Sequence, residues 1–239
     1  MSKLPAWAII PASGVGQRMQ AELPKQYLKF IDKTIIEHTL DRILSHDSIA
    51  GAVVVLNPDD KHWVNLNYKS SKPLIIATGG RQRQHSVYNG LQALHSHIHE
   101  DCYALVHDAV RPLVSHRDIS ALIDTAQQHS DGALLAVPVV DTLKHQDDAG
   151  NIDQTVSRSG LWRAFTPQVF RASLLSKALE YVRENSCDIT DDASAIETIG
   201  LKPKLVLGSV ENIKITLPED LMLARQIWMS QQGRMSQQG

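Results

Sequence analysis

Two cations stand close behind a glycine-containing loop near the amino end of the sequence. The loop, residues 11–16, follows a short apolar run, and Arg18 and Lys25 come next. Gly14 and Gly16 let the backbone approach a ligand closely, and consecutive backbone N–H groups in such a loop form a concavity that binds anions. The spacing therefore predicts a nucleoside triphosphate site whose phosphates meet both cations. The alternative is a tight turn with solvated cations.

On its own this loop is a weak signal, since it matches neither common nucleotide-binding motif. It lacks the Walker A pattern G-x-x-x-x-G-K-[ST]. It also fails the dinucleotide pattern G-x-G-x-x-G, because Met19 stands where the third glycine belongs. Lys214, far downstream between two isoleucines, is either a further cation for phosphate or a solvated strand residue.

Two other segments place candidate ligands directly after apolar runs. Gly79 and Gly80 open a predicted helix, so a nucleobase or ribose could lie against them with Ser86 as a donor; the alternative is a glycine turn with a helix cap. Asp108 and Arg111 follow another run. There the acid could hold a metal or a sugar hydroxyl and the arginine a phosphate. The alternative is a mutual surface ion pair.

Short apolar runs alternate with amphipathic stretches and position these groups. The apolar runs predict strands over 7–10, 52–56, 74–77, 103–107, 133–137, 205–207 and 213–216. Helical spacing predicts helices over 34–44, 81–94, 118–128, 171–184, 192–199 and 219–228. Strands this apolar, separated by helices, indicate a mostly parallel sheet covered on both faces. Ligands of such sheets bind at the carboxyl ends of the strands.

The alternation fails between Val139 and Leu161, where two extended arms flank a polar turn ending in Gly150-Asn151. This pattern predicts a β-hairpin, with a disordered surface loop as the alternative. Because an isolated hairpin is marginal in water, the arm is expected to pack against a second subunit. The predicted fold class is α/β, a Rossmann-like three-layer sandwich with a mostly parallel sheet and a protruding β-hairpin arm.

Composition limits the domain count and the partners. The 239 residues are 43% hydrophobic, which suits one domain over 1–230, with 139–160 as a dimerisation arm and 231–239 as a frayed tail. The net charge of −2 argues against a broadly basic nucleic-acid binder. No apolar run approaches the roughly 20 residues of a membrane span, and no signal peptide is recognisable. We therefore expect a soluble, cytoplasmic protein without nucleic-acid or membrane partners.

Several motifs that run in order along the chain carry a family resemblance. They are P-A-S-G-x-G-x-R-M-x5-K, H-D-A-x-R-P, D-T-x-K, L-W-x-A-x-T-P-Q, T-D-D-A-S-A and N-I-K-x-T-x-P-E-D. Together they resemble the 2-C-methyl-D-erythritol 4-phosphate cytidylyltransferases of the non-mevalonate isoprenoid pathway, within the sugar nucleotidyltransferase superfamily. The likeness covers roughly 7–228, and its segments over 161–168 and 212–220 are the most specific.

The resemblance implies transfer of CMP from CTP to methylerythritol phosphate, with Mg²⁺ as cofactor and pyrophosphate as product. The residues that it implies for CTP binding are Ala12, Ser13, Gly14, Gly16, Gly80, Ser86 and Ala109. The cations that it implies for catalysis are Arg18, Lys25, Arg158 and Lys214. On the acceptor side it implies Asp108, Arg111, Thr142 and Thr166.

The resemblance also implies a homodimer, because the hairpin arm of such enzymes delivers Thr142 and Arg158 into the neighbouring subunit's site. No residue is assigned as a metal ligand, although Asp108 is a candidate. Arg81 stands where many relatives carry an acid, so it is left out of the base-recognition set.

The implied chemistry needs no general base. A phosphate monoester, with a second pKa of about 6, is already mostly dianionic at neutral pH. Three alternatives stay open: a sister enzyme acting on another polyol phosphate such as ribitol 5-phosphate, a nucleotide-binding oxidoreductase, and a non-catalytic binding module. The missing third glycine argues against the oxidoreductase, and the set of cations argues against a dead site.

Overall fold

A seven-stranded sheet organises the chain, which a computed structural model describes over residues 4–14 and 23–236. In chain order the strands are β1 (Ala6–Pro11), β2 (Lys29–Phe30), β3 (Lys33–Thr34), β4 (Ile49–Leu56), β5 (Leu74–Thr78), β6 (Tyr103–Val106), β7 (Ala133–Pro138), β8 (Leu143–Gln146), β9 (Ile152–Val156), β10 (Trp162–Arg171) and β11 (Lys204–Leu207). The helices are α1 (Ile35–Leu44), α2 (Trp63–Leu66), α3 (Arg83–His97), α4 (His116–Gln128), α5 (Ala172–Asn185), α6 (Asp192–Thr198) and α7 (Pro218–Ser236).

The main sheet has the order β11-β7-β10-β6-β1-β4-β5. All neighbouring pairs are parallel except those of β10, which runs antiparallel to both β6 and β7. This confirms the predicted α/β class with a mostly parallel sheet. The sequence did not predict β10, because its first three residues are exposed and its register shifts between Phe165 and Gln168. Pro167, which has no N–H to donate to the ladder, lies in that interval.

Helices cover both faces of the sheet, as the alternation in the sequence predicted. Alternate residues of β1 enter opposite cores, with Ile10 on one face and Ile9 on the other. The first core packs against α1 and α4, and the second packs against α3, α5 and α6. A smaller cluster around Phe30 and Ile215 lies beneath α7.

Two predictions for the carboxyl-terminal segment were wrong. Residues 213–216 do not form a strand, and Ile215 is instead anchored by one backbone hydrogen bond to Val110 (N···O 3.0 Å) while its side chain enters the cluster beneath α7. The last helix also runs on to Ser236, beyond the predicted end near Trp228 and into the segment expected to fray. It begins at Pro218, where the carboxylate of Asp220 accepts hydrogen bonds from the preceding backbone.

The predicted hairpin is present as the two-stranded antiparallel sheet of β8 and β9. We call residues 139–160 the arm. Within it, Leu143 and Val156 pair across the hairpin and are half-buried, whereas most other arm residues are exposed. None of the helices in the described part of the chain combines the length and apolar composition that a membrane span requires.

One glycine joins α4 to β7 where no larger residue fits. Gly132 has φ +85°, and a Cβ there would lie 2.3 Å from Phe170 Cδ1 and 2.6 Å from the Val169 carbonyl oxygen. Gly150, at the tip of the arm, has φ +86° but nothing within 4 Å. A side chain would therefore be strained by the positive φ at both positions, but it would clash with neighbouring atoms only at Gly132.

We expect Gly132→Ala to lower the free energy of unfolding by about 1–3 kcal/mol more than Gly150→Ala, because overpacking adds to the left-handed strain. For a chain of this size each kcal/mol corresponds to a Tm shift of about 2–4 °C. Thermal unfolding of both variants measures the difference. Equal Tm values would contradict the described packing at Gly132.

Candidate active site

A cleft of about 220 Å³ opens at the carboxyl ends of β1, β5 and β6. β1 lies between β4 and β6 in the sheet, so the chain connections diverge to either side of it. Such a point leaves a crevice at the carboxyl ends of the strands, where ligands of open α/β sheets bind. The residues lining this first cleft include Ala12, Ser13, Gly14, Lys25, Gln26, Gly80, Arg81, Asp108, Ala109 and Lys214.

The loop after β1 is fixed by hydrogen bonds from two side chains that lie outside it. The amide nitrogen of Gln26, which is buried, donates to the carbonyl oxygens of Ala12 (2.8 Å) and Gly14 (3.3 Å). Asn57 Nδ2 donates to the Ser13 carbonyl oxygen (3.2 Å). These three carbonyl groups of the loop are thereby hydrogen-bonded to the rest of the protein.

The glycine turn after β5 packs on the same loop. Ser13 Oγ and Ser86 Oγ lie 2.8 Å apart, and Ser86 Oγ also accepts from the backbone N–H of Gly80 (3.1 Å). A Cβ on Gly79 would lie 2.5 Å from Ser13 Cβ, so a side chain at this position would push the two loops apart. Ser86 is fully buried, and in this structure its hydroxyl fixes the two loops against each other.

Asp108 is the charged centre of the site. Its Oδ1 lies 3.4 Å from Arg83 Nε, while its Oδ2 lies 3.4 Å from Arg111 Nε and 2.9 Å from Lys214 Nζ. The side chain is only 10% exposed, whereas that of Lys214 is 40% exposed. Asp108 therefore holds three cations at one place and leaves Lys214 accessible from the cleft.

The charges around Asp108 keep it ionised. Burial on its own would raise the pKa of the Asp108 carboxyl, but the charges of Arg83, Lys214 and Arg111 hold that pKa well below its usual range. Burial lowers the pKa of Arg111, and the charges of Arg163 and Arg83 act in the same direction, although Asp108 opposes them. The lowered pKa of Arg111 is thus mainly an effect of burial, and the cations gathered around Asp108 suit an anionic ligand.

A second cleft of about 190 Å³ adjoins the first, and Lys214 lines both. Arg111 and Arg163 also line it, beside polar groups of Ser209 and Asn212. The guanidinium of Arg111 lies over the ring of Phe165, 5.6 Å from its centroid, and donates to the Asn212 carbonyl oxygen (2.7 Å). Two adjacent clefts that share one lysine can hold two anions at a short distance from each other.

His107 does not offer a general base. It is fully buried, and its Nε2 donates to the carbonyl oxygen of Arg111 (3.0 Å). Burial lowers the pKa of His107 to about 4, so the ring is neutral at physiological pH. We infer that His107 shapes the turn between Asp108 and Arg111.

The structure places most of the predicted site residues in the clefts or directly beneath them. Two others lie on the arm, and two lie outside the described residues. Gly16 and Arg18 lie outside the described residues. Thr142 and Arg158 lie on the exposed arm, where Arg158 donates to the Val140 carbonyl oxygen, and neither lines the described part of either cleft.

Thr166 is buried beneath the site instead of lining it. Its Oγ1 accepts a hydrogen bond from the backbone N–H of Asp108 (3.0 Å), and its carbonyl oxygen accepts one from Asn212 Nδ2 (2.9 Å). Thr166 therefore links the turn after β6 to the segment that carries Lys214. In this conformation it supports the site from below.

Sequence reasoning missed five residues of the site. They are Gln26, Arg83, Arg163, Asp192 and Asn212. Asp192 and Asn212 stand inside the quoted motifs and Gln26 directly follows one, but a motif does not say what a residue contacts. Arg83 is one of several polar residues after the Gly79 turn, and only the fold shows which of them points at Asp108.

The described residues do not form a resident metal site. Within residues 4–14 and 23–236, no three His, Cys, Asp or Glu side chains come together as ligands for a metal ion. Asp108, the candidate ligand, already has both carboxylate oxygens facing cations.

Comparison with known proteins agrees with this geometry. The family model for 2-C-methyl-D-erythritol 4-phosphate cytidylyltransferase matches residues 6–230. A protein of that name from Hahella chejuensis is 48% identical over 218 residues, which are 91% of this chain and 90% of that protein. One from Pseudomonas putida is 46% identical over 230 residues, covering 95% and 98% of the two chains.

Solved structures show the same likeness. A crystal structure of a 4-diphosphocytidyl-2C-methyl-D-erythritol synthase superposes with a TM-score of 0.81 at 36% identity and covers 95% of this chain and 100% of that one. The cytidylyltransferase of Francisella tularensis superposes with a TM-score of 0.80 at 34% identity, over 93% and 99% of the two chains. With its sequence, its fold and the cation-lined clefts in agreement, the chain belongs to the 2-C-methyl-D-erythritol 4-phosphate cytidylyltransferase family.

Proposed function

We propose that this protein transfers CMP from CTP to 2-C-methyl-D-erythritol 4-phosphate. The products are 4-diphosphocytidyl-2-C-methyl-D-erythritol and pyrophosphate, and the reaction serves the synthesis of isoprenoid precursors. The observation that carries the proposal is the pair of adjacent clefts joined at Lys214. CTP occupies the first cleft, against the glycine loops, and the acceptor phosphate occupies the second. The enzyme acts in the cytoplasm, where CTP is available.

The reaction joins two anions and needs positive charge more than a base. An oxygen of the acceptor phosphate attacks the α-phosphorus of CTP, a new P–O bond forms, and the bond to the β-phosphate breaks to release pyrophosphate. Because the phosphate monoester is mostly dianionic at neutral pH, no protein group has to remove a proton. Lys25 and Lys214 line the nucleotide cleft and stabilise the charge that develops on the transferring phosphoryl group.

Mg²⁺ is proposed to enter with the triphosphate. Such Mg²⁺ ions are held largely by substrate phosphates and water. The cations around Asp108 are the chain's own contribution to charge neutralisation.

We further propose a homodimer in which each arm reaches into the partner's site. Val140 and Ile152 on the arm are 73% and 67% exposed, and Leu161 and Trp162 at its base are also exposed. Apolar side chains on a hairpin that is marginal on its own favour a partner surface. The arm also carries Thr142 and Arg158, which are assigned to the acceptor and to catalysis by family likeness and do not line the described clefts of their own chain.

The choice of acceptor is tested by comparing two polyol phosphates. With CTP and Mg²⁺, we expect rapid pyrophosphate release with methylerythritol 4-phosphate and little with ribitol 5-phosphate. Mass spectrometry of the nucleotide product identifies the CDP-alcohol that forms. Preference for ribitol 5-phosphate would reassign the enzyme to a sister activity.

The assignment of the second cleft to the acceptor has its own test. Arg163 lines the second cleft and is absent from the described lining of the first. Because it removes this exposed cation, Arg163→Ala should raise KM for the acceptor about tenfold, the lower end of what one charge-assisted hydrogen bond contributes, and leave KM for CTP unchanged. An increase confined to KM for CTP would reverse the assignment of the two clefts.

A further inference from the structure

A part-buried ion pair at the edge of the first cleft has no part in the reaction as described so far. Asp192, the first residue of α6, is 1% exposed, and its Oδ2 lies 2.8 Å from Arg83 Nη2. Arg83, at the start of α3, reaches Asp108 with its Nε (3.4 Å). One guanidinium therefore bridges a carboxylate outside the clefts and the carboxylate at the centre of the site.

Asp192 is fixed by its surroundings. The next residue's backbone N–H, that of Ala193, donates to Gln168 Oε1 (2.8 Å), and Gln168 Nε2 donates to Asp191 Oδ2 (2.8 Å). Asp191 also caps α6 through the backbone N–H of Ser194 (2.9 Å). The start of α6 is thus anchored to β10, and Asp192 offers Arg83 a rigid counter-charge.

The bridge matters because Asp108 has two distinct oxygen atoms. Oδ1 faces Arg83, while Oδ2 faces Arg111 and Lys214. Because Asp192 holds the guanidinium of Arg83, that guanidinium keeps Oδ1 of Asp108 in place and so directs Oδ2 toward Lys214. If Arg83 swung away, Oδ1 would lose its cation and the carboxylate would be held through Oδ2 alone, so Lys214 would have a less firmly fixed partner.

We propose that the Asp192–Arg83 pair is a positioning element that acts on catalysis through Asp108 and Lys214, an inference that rests on the proposed function. Asp192 lines neither described cleft, and Arg83, which borders the first, acts here through its contact with Asp108. Their role is to fix the carboxylate that holds Lys214 between the two clefts. The T-D-D-A-S-A motif, to which no role has been assigned, thereby has a function in the reaction.

Electrostatics agree with this role. Burial alone would lower the pKa of Arg83, but the carboxylates of Asp192 and Asp108 raise it above its ordinary value. Burial raises the pKa of Asp192, and the charge of Arg83 opposes the rise. Each partner is therefore stabilised by the other, and removing one would leave the other's charge poorly compensated.

The test separates stability from positioning with a double variant. Arg83→Met and Asp192→Leu should each lower Tm, because each leaves one charge of the pair uncompensated, whereas the combined variant should recover most of that loss as an apolar pair. At a temperature well below the lowest Tm, we expect kcat for pyrophosphate release to stay at least tenfold below the wild-type value in the double variant, with KM for CTP within twofold of wild type.

A second arginine–aspartate pair provides the matched control. Arg171 and Asp101 form an ion pair (3.0 Å) beside the amino end of β6, away from the clefts. Arg171→Met combined with Asp101→Leu should leave kcat unchanged. A similar fall in kcat in this control would overturn the inference, since the effect would then follow from losing any such pair.

The outcomes for the Arg83 double variant are equally distinct. Wild-type kcat together with recovered Tm would overturn the inference and leave the proposed function intact. If the double variant does not fold, Asp192→Ala decides in its place, with an expected fall in kcat of about tenfold and contradiction by a wild-type value. Absence of turnover in the wild-type enzyme would overturn the proposed function together with this inference.

Discussion

Replacing Lys214 with alanine should lower kcat for pyrophosphate release by about 10²-fold or more, the cost of removing one preorganised group that stabilises developing charge. Lys214 is the residue that lines both clefts and is fixed by Asp108 at 2.9 Å. In the proposed reaction it therefore stands where the two phosphates approach each other. The fold should persist, because Asp108 keeps Arg83 and Arg111 as partners.

Steady-state kinetics with CTP and the acceptor varied in turn measures this effect. Lys202→Ala is the control, because Lys202 is exposed near β11 and its contact with Asp131 runs through its backbone N–H. We expect the control to keep wild-type kcat. A Lys214→Ala enzyme with near-normal kcat and a Tm close to wild type would remove Lys214 from the catalytic set.

The second large effect is recovery of activity by mixing two inactive enzymes. Lys25→Ala and Arg158→Ala should each be nearly inactive, because each lacks a cation that the proposed function assigns to catalysis. If Arg158 acts in the partner's site, a dimer of one Lys25→Ala subunit and one Arg158→Ala subunit has one intact site. Random exchange of subunits in a two-fold dimer then makes about one site in four intact, and the mixture should show about a quarter of wild-type activity.

A second mixture controls for recovery by other routes. Lys25 and Lys214 line the same cleft of one chain, so mixing Lys25→Ala with Lys214→Ala subunits cannot create an intact site. This mixture should stay inactive after the same exchange protocol. If the Arg158→Ala mixture also stays inactive although exchange has occurred, Arg158 does not act across the dimer.

The parallel strands of the sheet could be predicted from the sequence because they are buried on both faces. Runs such as 52–56 are continuously apolar, and their β-branched residues favour strands. The antiparallel β10 was not predicted because its first three residues are exposed and it carries Pro167 where its register shifts. The segment around Lys214 has the pattern of a strand, because two isoleucines alternate with polar residues. In the structure Ile215 instead donates to Val110 and packs in the cluster beneath α7.

The site was predictable where a single segment carries the chemistry. The glycine loop, Asp108 and Lys25 each follow recognisable local patterns, and the structure puts them at one cleft. The Arg83–Asp192 pair joins residues 109 positions apart, and no local pattern encodes such a contact. The motif around Asp192 contributed to the family resemblance, but the resemblance did not show that Asp192 pairs with Arg83.

The most direct test of the central claim is pyrophosphate release by the wild-type enzyme with CTP, 2-C-methyl-D-erythritol 4-phosphate and Mg²⁺. The claim is that two adjacent cation-lined clefts bring an acceptor phosphate to the α-phosphorus of CTP. It predicts release that requires both substrates and matches the CDP-alcohol formed in equal amount. No release above the background of CTP alone would contradict it.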